Sequence, residues 1–128
     1  MNIKIMYTDA VVFVQTYNEI LCEKVVNTES ALRILDLLEI MGKYYSEYNS
    51  KVEGIKIKYA AKDENGQPIQ NEYGYIFEEE TQTQVVKELL VLGREEFVIQ
   101  FTPLEKKDLD GMGLTINQIA LLKQFIKK

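Results

Sequence analysis

NTESALRILDLLEIMGKYYSEYNSKVEGIKIKY, residues 27–59, is the stretch that decides the architecture. Stepped at threes and fours it reads Ala31, Ile34, Leu38, Met41, Tyr45, Tyr48, Val52, Ile55, Tyr59. Residues three and four apart share one helical face, so this is the seam of a long helix packed along another helix. At about 1.5 Å per residue the stretch is too long to hide inside one small globule. Part of the seam is therefore expected against a partner segment or a partner chain. Asn27 and Thr28 offer N-cap oxygens. Gly42 and Gly54 lie inside the stretch, each costing about 1 kcal/mol relative to Ala. Ile55, Lys56, Ile57, Lys58 and Tyr59 also alternate as a strand would. That makes Gly54 the point where a break would fall, but the uninterrupted seam favours helix to about Ala61.

Upstream, Asn2 to Tyr7 alternates as a short strand, and Thr8 and Asp9 offer cap oxygens for a helix from Ala10 to Lys24. Its apolar face carries Val11, Val14, Tyr17, Leu21 and Val25. Downstream, Asp63-Glu64-Asn65-Gly66 is a strong turn signal, and Tyr73, Tyr75 and Phe77 alternate in a loop or a small hairpin. Thr81 to Gly93 reads as a second helix with Val85, Val86, Leu89, Leu90 and Leu92. Glu96 to Thr102 is the clearest strand, ended by Pro103, and its natural partner is the N-terminal strand. Thr115-Ile-Asn-Gln118 has the form of a capping box before a last helix, with Lys127 and Lys128 favourable at its C-terminus.

These elements predict one α+β domain over residues 1–128, mostly helical. It has a long central helix in an antiparallel helical hairpin, N- and C-terminal helices, and a small two-stranded sheet of residues 2–7 with 96–102. An acidic connector, residues 63–80, is expected to project from the end of the long helix.

Of 128 residues 46 % are apolar, enough for a core. The net charge of −5, from 15 basic and 20 acidic residues, argues against nucleic acid or an anionic membrane as the main partner. Between Asp63 and Val86 there is no Lys or Arg, but there are Asp63, Glu64, Glu72, Glu78, Glu79 and Glu80. This is either a solvated loop or an acidic prong that meets a basic partner. The absence of His removes the commonest general base and zinc ligand. Cys22 is alone and lies in an apolar helical context, which suits an inert core thiol in a reducing cytoplasm. No signal-peptide pattern and no apolar run near ~20 residues is present.

Asp108, Asp110 and Gly111 fall short of a calcium loop, and turn and cap chemistry is the better reading. Glu78, Glu79 and Glu80 point different ways on a helix and suit the N-terminal dipole of the helix that follows. No glycine pattern forms a phosphate loop and nothing picks out a carboxylate pair; no catalytic residue, metal site or cofactor is expected, with an enzyme using carboxylates alone as the third reading. Tyr44, Tyr45 and Tyr48, with Tyr59, Tyr73 and Tyr75, have two readings: half-buried core rings, or a protein-binding surface. The candidate interaction surface is Tyr44, Tyr45, Tyr48, Val52, Tyr59, Asp63, Glu64, Glu72, Tyr73, Tyr75, Glu78, Glu79 and Glu80.

Lys62-Asp-Glu-Asn-Gly66 follows the long amphipathic helix. After it come an acidic segment, Lys87-Glu-Leu-Leu90, the strand Glu96-Phe-Val-Ile99, the Leu109-Asp-Gly111 … Leu114-Thr115 connector and a short last helix. From about Lys24 onward this order resembles a family of small tailed-phage proteins of unknown function, found in phages and prophages of Gram-positive bacteria. Ile116 stands where a Pro would often follow the cap. The resemblance implies a phage origin and a gene neighbourhood of structural and lysis genes, and it brings no catalytic residues. The leading expectation is a non-enzymatic protein acting by protein–protein interaction, as a tail-associated component or an assembly factor. The alternative is an inhibitor of a host defence protein acting through the acidic connector. Self-association into a homo-oligomer is a further expectation. The place of action is the host cytoplasm during infection, or the virion.

Overall fold

A computed structural model describes residues 1–24 and 26–127. Val25 and Lys128, assigned above to helix faces and ends, lie outside the described residues. The order is β1 (Asn2–Met6), α1 (Tyr7–Glu19), a 3-10 turn (Leu21–Glu23), α2 (Thr28–Tyr59), β2 (Gln70–Asn71), β3 (Gly74–Tyr75), α3 (Glu79–Gly93), β4 (Glu96–Gln100), α4 (Lys106–Leu109), α5 (Ile116–Leu122) and a second 3-10 turn (Lys123–Phe125). The class is α+β and mostly helical, as the seam and the alternating strands predict. The residues group into two compact units: Met1–Tyr45 with Glu96–Lys128, and Ser46–Glu95.

In the first unit β1 pairs antiparallel with β4, Asn2 opposite Gln100 and Met6 opposite Glu96. Both strands are shorter than the alternation suggested. Tyr7 leaves the strand and opens α1, because the helix begins earlier than Thr8 and Asp9 implied. Asp9 caps from inside the first turn: its carboxylate accepts the Met6 N–H at 2.8 Å. At the other end, α1 stops at Glu19 and tightens into the 3-10 turn. That leaves Cys22 exposed rather than in the core, its thiol donating to the Asn18 carbonyl at 3.2 Å.

A two-stranded sheet is marginal alone, and this one is covered on one face. Ile5 and Ile99 are buried with Phe13, Val14, Ile34, Leu37, Met41, Phe101, Leu104, Leu122 and Phe125. The first half of α2 supplies the seam residues Ile34 and Met41, with Leu37 added to them. Asn27 caps this helix, its side-chain oxygen accepting the Ser30 N–H at 2.8 Å. The box at Thr115 also forms: Gln118 N–H donates to Thr115 Oγ1 at 3.2 Å, and Thr115 N–H to Gln118 Oε1 at 2.9 Å.

The helix α2 runs unbroken to Tyr59, so the alternation after Gly54 does not become a strand. A Cβ at Gly54 or Gly42 would meet nothing within 4 Å. Gly54→Ala is therefore expected to stabilise the protein by about 0.5–1 kcal/mol, read as a higher urea midpoint with an unchanged slope.

In the second unit α3 returns antiparallel to the last part of α2. Tyr59 Oη donates to Glu88 at 2.9 Å, and at the other end Lys51 lies 3.9 Å from Glu95. Between them the chain forms a small hairpin, Gln70 opposite Tyr75 and Asn71 opposite Gly74. Gly74 takes a φ of 116°, which closes the turn with no left-handed Glu or Tyr.

Candidate functional site

The thirteen candidate residues divide between the units. Tyr44 and Tyr45 belong to the first and pack on its core. Tyr44 lies stacked on Phe97 with ring centroids 3.8 Å apart, so its burial comes from its own chain. Tyr48, Val52 and Tyr59 are half-buried along the second half of α2.

The remaining eight lie on or around the hairpin of the second unit. Asp63 is taken up by its turn, its carboxylate accepting the N–H groups of Asn65 at 2.8 Å and Gln67 at 3.0 Å. Tyr75 donates its hydroxyl to Glu53, and that carboxylate pushes the phenol above its ordinary value. Glu78 stands just before α3, with Glu79 and Glu80 in its first turn, where the helix dipole favours them. Glu64 is exposed. Glu72 and Tyr73 form the two-residue tip. Asn71 accepts the Tyr73 N–H at 2.8 Å, and this side-chain turn fixes the backbone while Tyr73 stays 89 % exposed. Ile69 and Ile76 are exposed beside it, and Val86, Leu90 and Val91 are exposed on α3.

A second constellation, in the first unit, escaped the sequence reading. Asp108 is 1 % exposed and uses all its acceptor capacity. Oδ1 accepts from Ser30 Oγ at 2.6 Å and Arg33 Nη2 at 2.6 Å. Oδ2 accepts from Arg33 Nε at 2.7 Å and the Glu105 N–H at 2.8 Å. The fork-on-carboxylate geometry is the strong form of this pair. Arg33 also donates to Glu29 at 2.8 Å, and Lys107 lies 3.2 Å from Glu105. Turn-and-cap chemistry at Asp108 is present, but it serves a buried ion cluster that ties α4 to α2. Glu29 and Arg33 at i, i+4 were visible in the sequence; the third partner lies 75 residues from Arg33, and no periodicity reports it.

The Arg33 guanidinium, aided by the Glu105 N–H and Ser30 hydroxyl, holds the Asp108 carboxyl well below the usual carboxylate range. An unfolded Asp titrates near about 3.9, so on acidification the unfolded chain binds this proton first. Stability from the cluster is complete above that value and is lost as pH falls from about 5 toward the folded value. Urea midpoints measured from neutral to acid pH are expected to drop over that window, and Asp108→Asn should flatten part of the drop.

Among the described residues no group of three or more Asp, Glu or Cys side chains is placed to hold a metal ion. Among the described residues no helix is long and apolar enough to cross a membrane. No protein-family model matches the chain, and searches of curated proteins and of solved structures return no match.

Proposed function

We propose that this protein acts without catalysis, by binding another protein through the acidic hairpin of its second unit. The observation that carries this reading is Tyr73. A ring 89 % exposed on a braced two-residue tip, beside Glu72 and inside a segment with six acids and no base, is a surface kept for contact. Tyr combines a large apolar ring with a polar end and is over-represented among the residues that dominate interfaces. The charge selects a partner with a basic face and speeds the encounter.

With the resemblance to small tailed-phage proteins, the preferred partner is a phage structural protein, met in the tail or during its assembly. The charge run also favours a second reading, a host defence protein whose basic nucleic-acid groove the hairpin would block. Both place the protein in the infected host cell, and the first also in the virion. The test is capture from phage-infected cells with the wild-type chain and with Glu72→Lys/Tyr73→Ser. A phage protein retained by the first and lost by the second supports the tail reading, especially if the chain is also found in purified virions. A host effector captured in the same hairpin-dependent way supports the second. Equal capture by both chains would remove the hairpin from the account.

A further inference from the structure

The first unit carries a groove of ≈ 700 Å³ near its C-terminal end. Its floor is apolar, from Ile119 and Ala120 of α5 and from Ile126. Its edge carries Lys106, Lys123 and Lys127, and among the described residues no acidic side chain lines it. In a chain of net charge −5 this is a local excess of positive charge. Among the described residues none of these three side chains has an ion-pair partner. Lys107, next in sequence to Lys106, lies by contrast within 4.0 Å of both Glu29 and Glu105.

The second unit presents the complementary chemistry: exposed Tyr73, Ile69 and Ile76 among acids, with no Lys or Arg from Asp63 to Val86. We propose that the lysine-edged groove receives the acidic hairpin of a second copy of this chain. The Tyr73 ring would lie on the Ile119–Ile126 floor, and Glu72 would meet the lysine edge. The opposite charges steer the docking, and the apolar floor supplies the burial. This inference rests on the reading of the hairpin as the binding element and names one occupant for it. The contact joins two different patches, so it is head-to-tail: a pair keeps one free groove on one copy and one free hairpin on the other, and association continues beyond a pair unless a ring closes.

The test is sedimentation velocity on the full chain over a wide concentration range. The average sedimentation coefficient is expected to rise with concentration at low salt. At about 1 M salt, where the screening length is about 3 Å, the rise should largely disappear. Lys123→Glu/Lys127→Glu destroys the groove and leaves the hairpin; Glu72→Lys/Tyr73→Ser does the reverse. All four positions are exposed, and circular dichroism of each variant checks the fold. Each variant alone should stay monomeric, with association weakened at least tenfold. Mixed, they should form a 1:1 complex that grows no further, because one intact groove meets one intact hairpin. A wild-type chain that sediments as a monomer across the low-salt series overturns the proposal, as does association that survives in both variants. Hairpin-dependent capture of another protein by a monomeric chain would overturn only the second-copy occupant and leave the proposed function standing.

Discussion

Asp108→Ala is expected to destabilise the protein by about 3–5 kcal/mol, measured by urea unfolding at neutral pH. The carboxylate is fully enclosed and meets four donors between 2.6 and 2.8 Å. Its loss strands the Ser30 hydroxyl, itself 1 % exposed, and takes from Arg33 the oxygens that neutralise it in place. It also uncaps α4 at Glu105. Removing one member of a buried pair costs more than the pair contributes net, since the penalty is the uncompensated remainder. The triple change Ser30→Ala/Arg33→Met/Asp108→Leu should therefore be less destabilising than Asp108→Ala alone. A loss below about 1 kcal/mol for Asp108→Ala would mean the cluster behaves as a surface ion pair. Arg33→Lys should recover little, because an ammonium cannot meet both oxygens with a planar fork.

The cluster shows where sequence reading stops. Local rules report local partners: the seam gave α2 because its apolar steps recur within one helix, and the cap at Asn27 and the box at Thr115 formed because cap and partner lie three residues apart. The strand alternation at 2–7 and 96–102 likewise placed β1 and β4 opposite each other. The errors fall where two local signals compete or where the deciding partner is distant. Tyr7 fits the alternation of a strand, yet Asp9 can bond the Met6 N–H only if the helix has already begun. Cys22 fits a helical face, but the helix tightens after Glu19 and turns the thiol outward. Tyr44 and Tyr73 look alike in sequence; Phe97, supplied from far along the chain, covers one ring, and the turn at Gly74 exposes the other. The groove at Ile119 and Ile126 was equally hidden, since Lys106 reaches it from a separate element.

Phe125→Ala is expected to cost about 3–5 kcal/mol, a large part of the about 5–15 kcal/mol that holds a typical domain. Phe125 is 1 % exposed and is the largest fully buried side chain among the described residues. Its ring meets Phe13 edge-on at 5.4 Å and Phe101 at 5.9 Å, so one truncation empties the junction of α1, the segment after β4 and the last turn. The backbone there depends on the same anchor. The Phe125 carbonyl accepts the Leu104 N–H at 2.8 Å, and the Leu104 carbonyl accepts the Lys127 N–H at 2.7 Å. Phe125→Leu keeps most of the volume and should cost under about 1.5 kcal/mol. The pair of variants separates retained volume from aromatic shape: a loss for Phe125→Leu as large as for Phe125→Ala would show that the edge-on ring contacts, not apolar volume, set the cost. Lys123, Ile126 and Lys127 line the groove within two residues of Phe125, so the position of the lysine edge is set by this ring. If the groove receives a second copy's hairpin, Phe125→Leu should fold near normally yet weaken self-association, because the floor shifts while every charge is retained. Full association in Phe125→Leu would instead show that contact to be governed by charge alone.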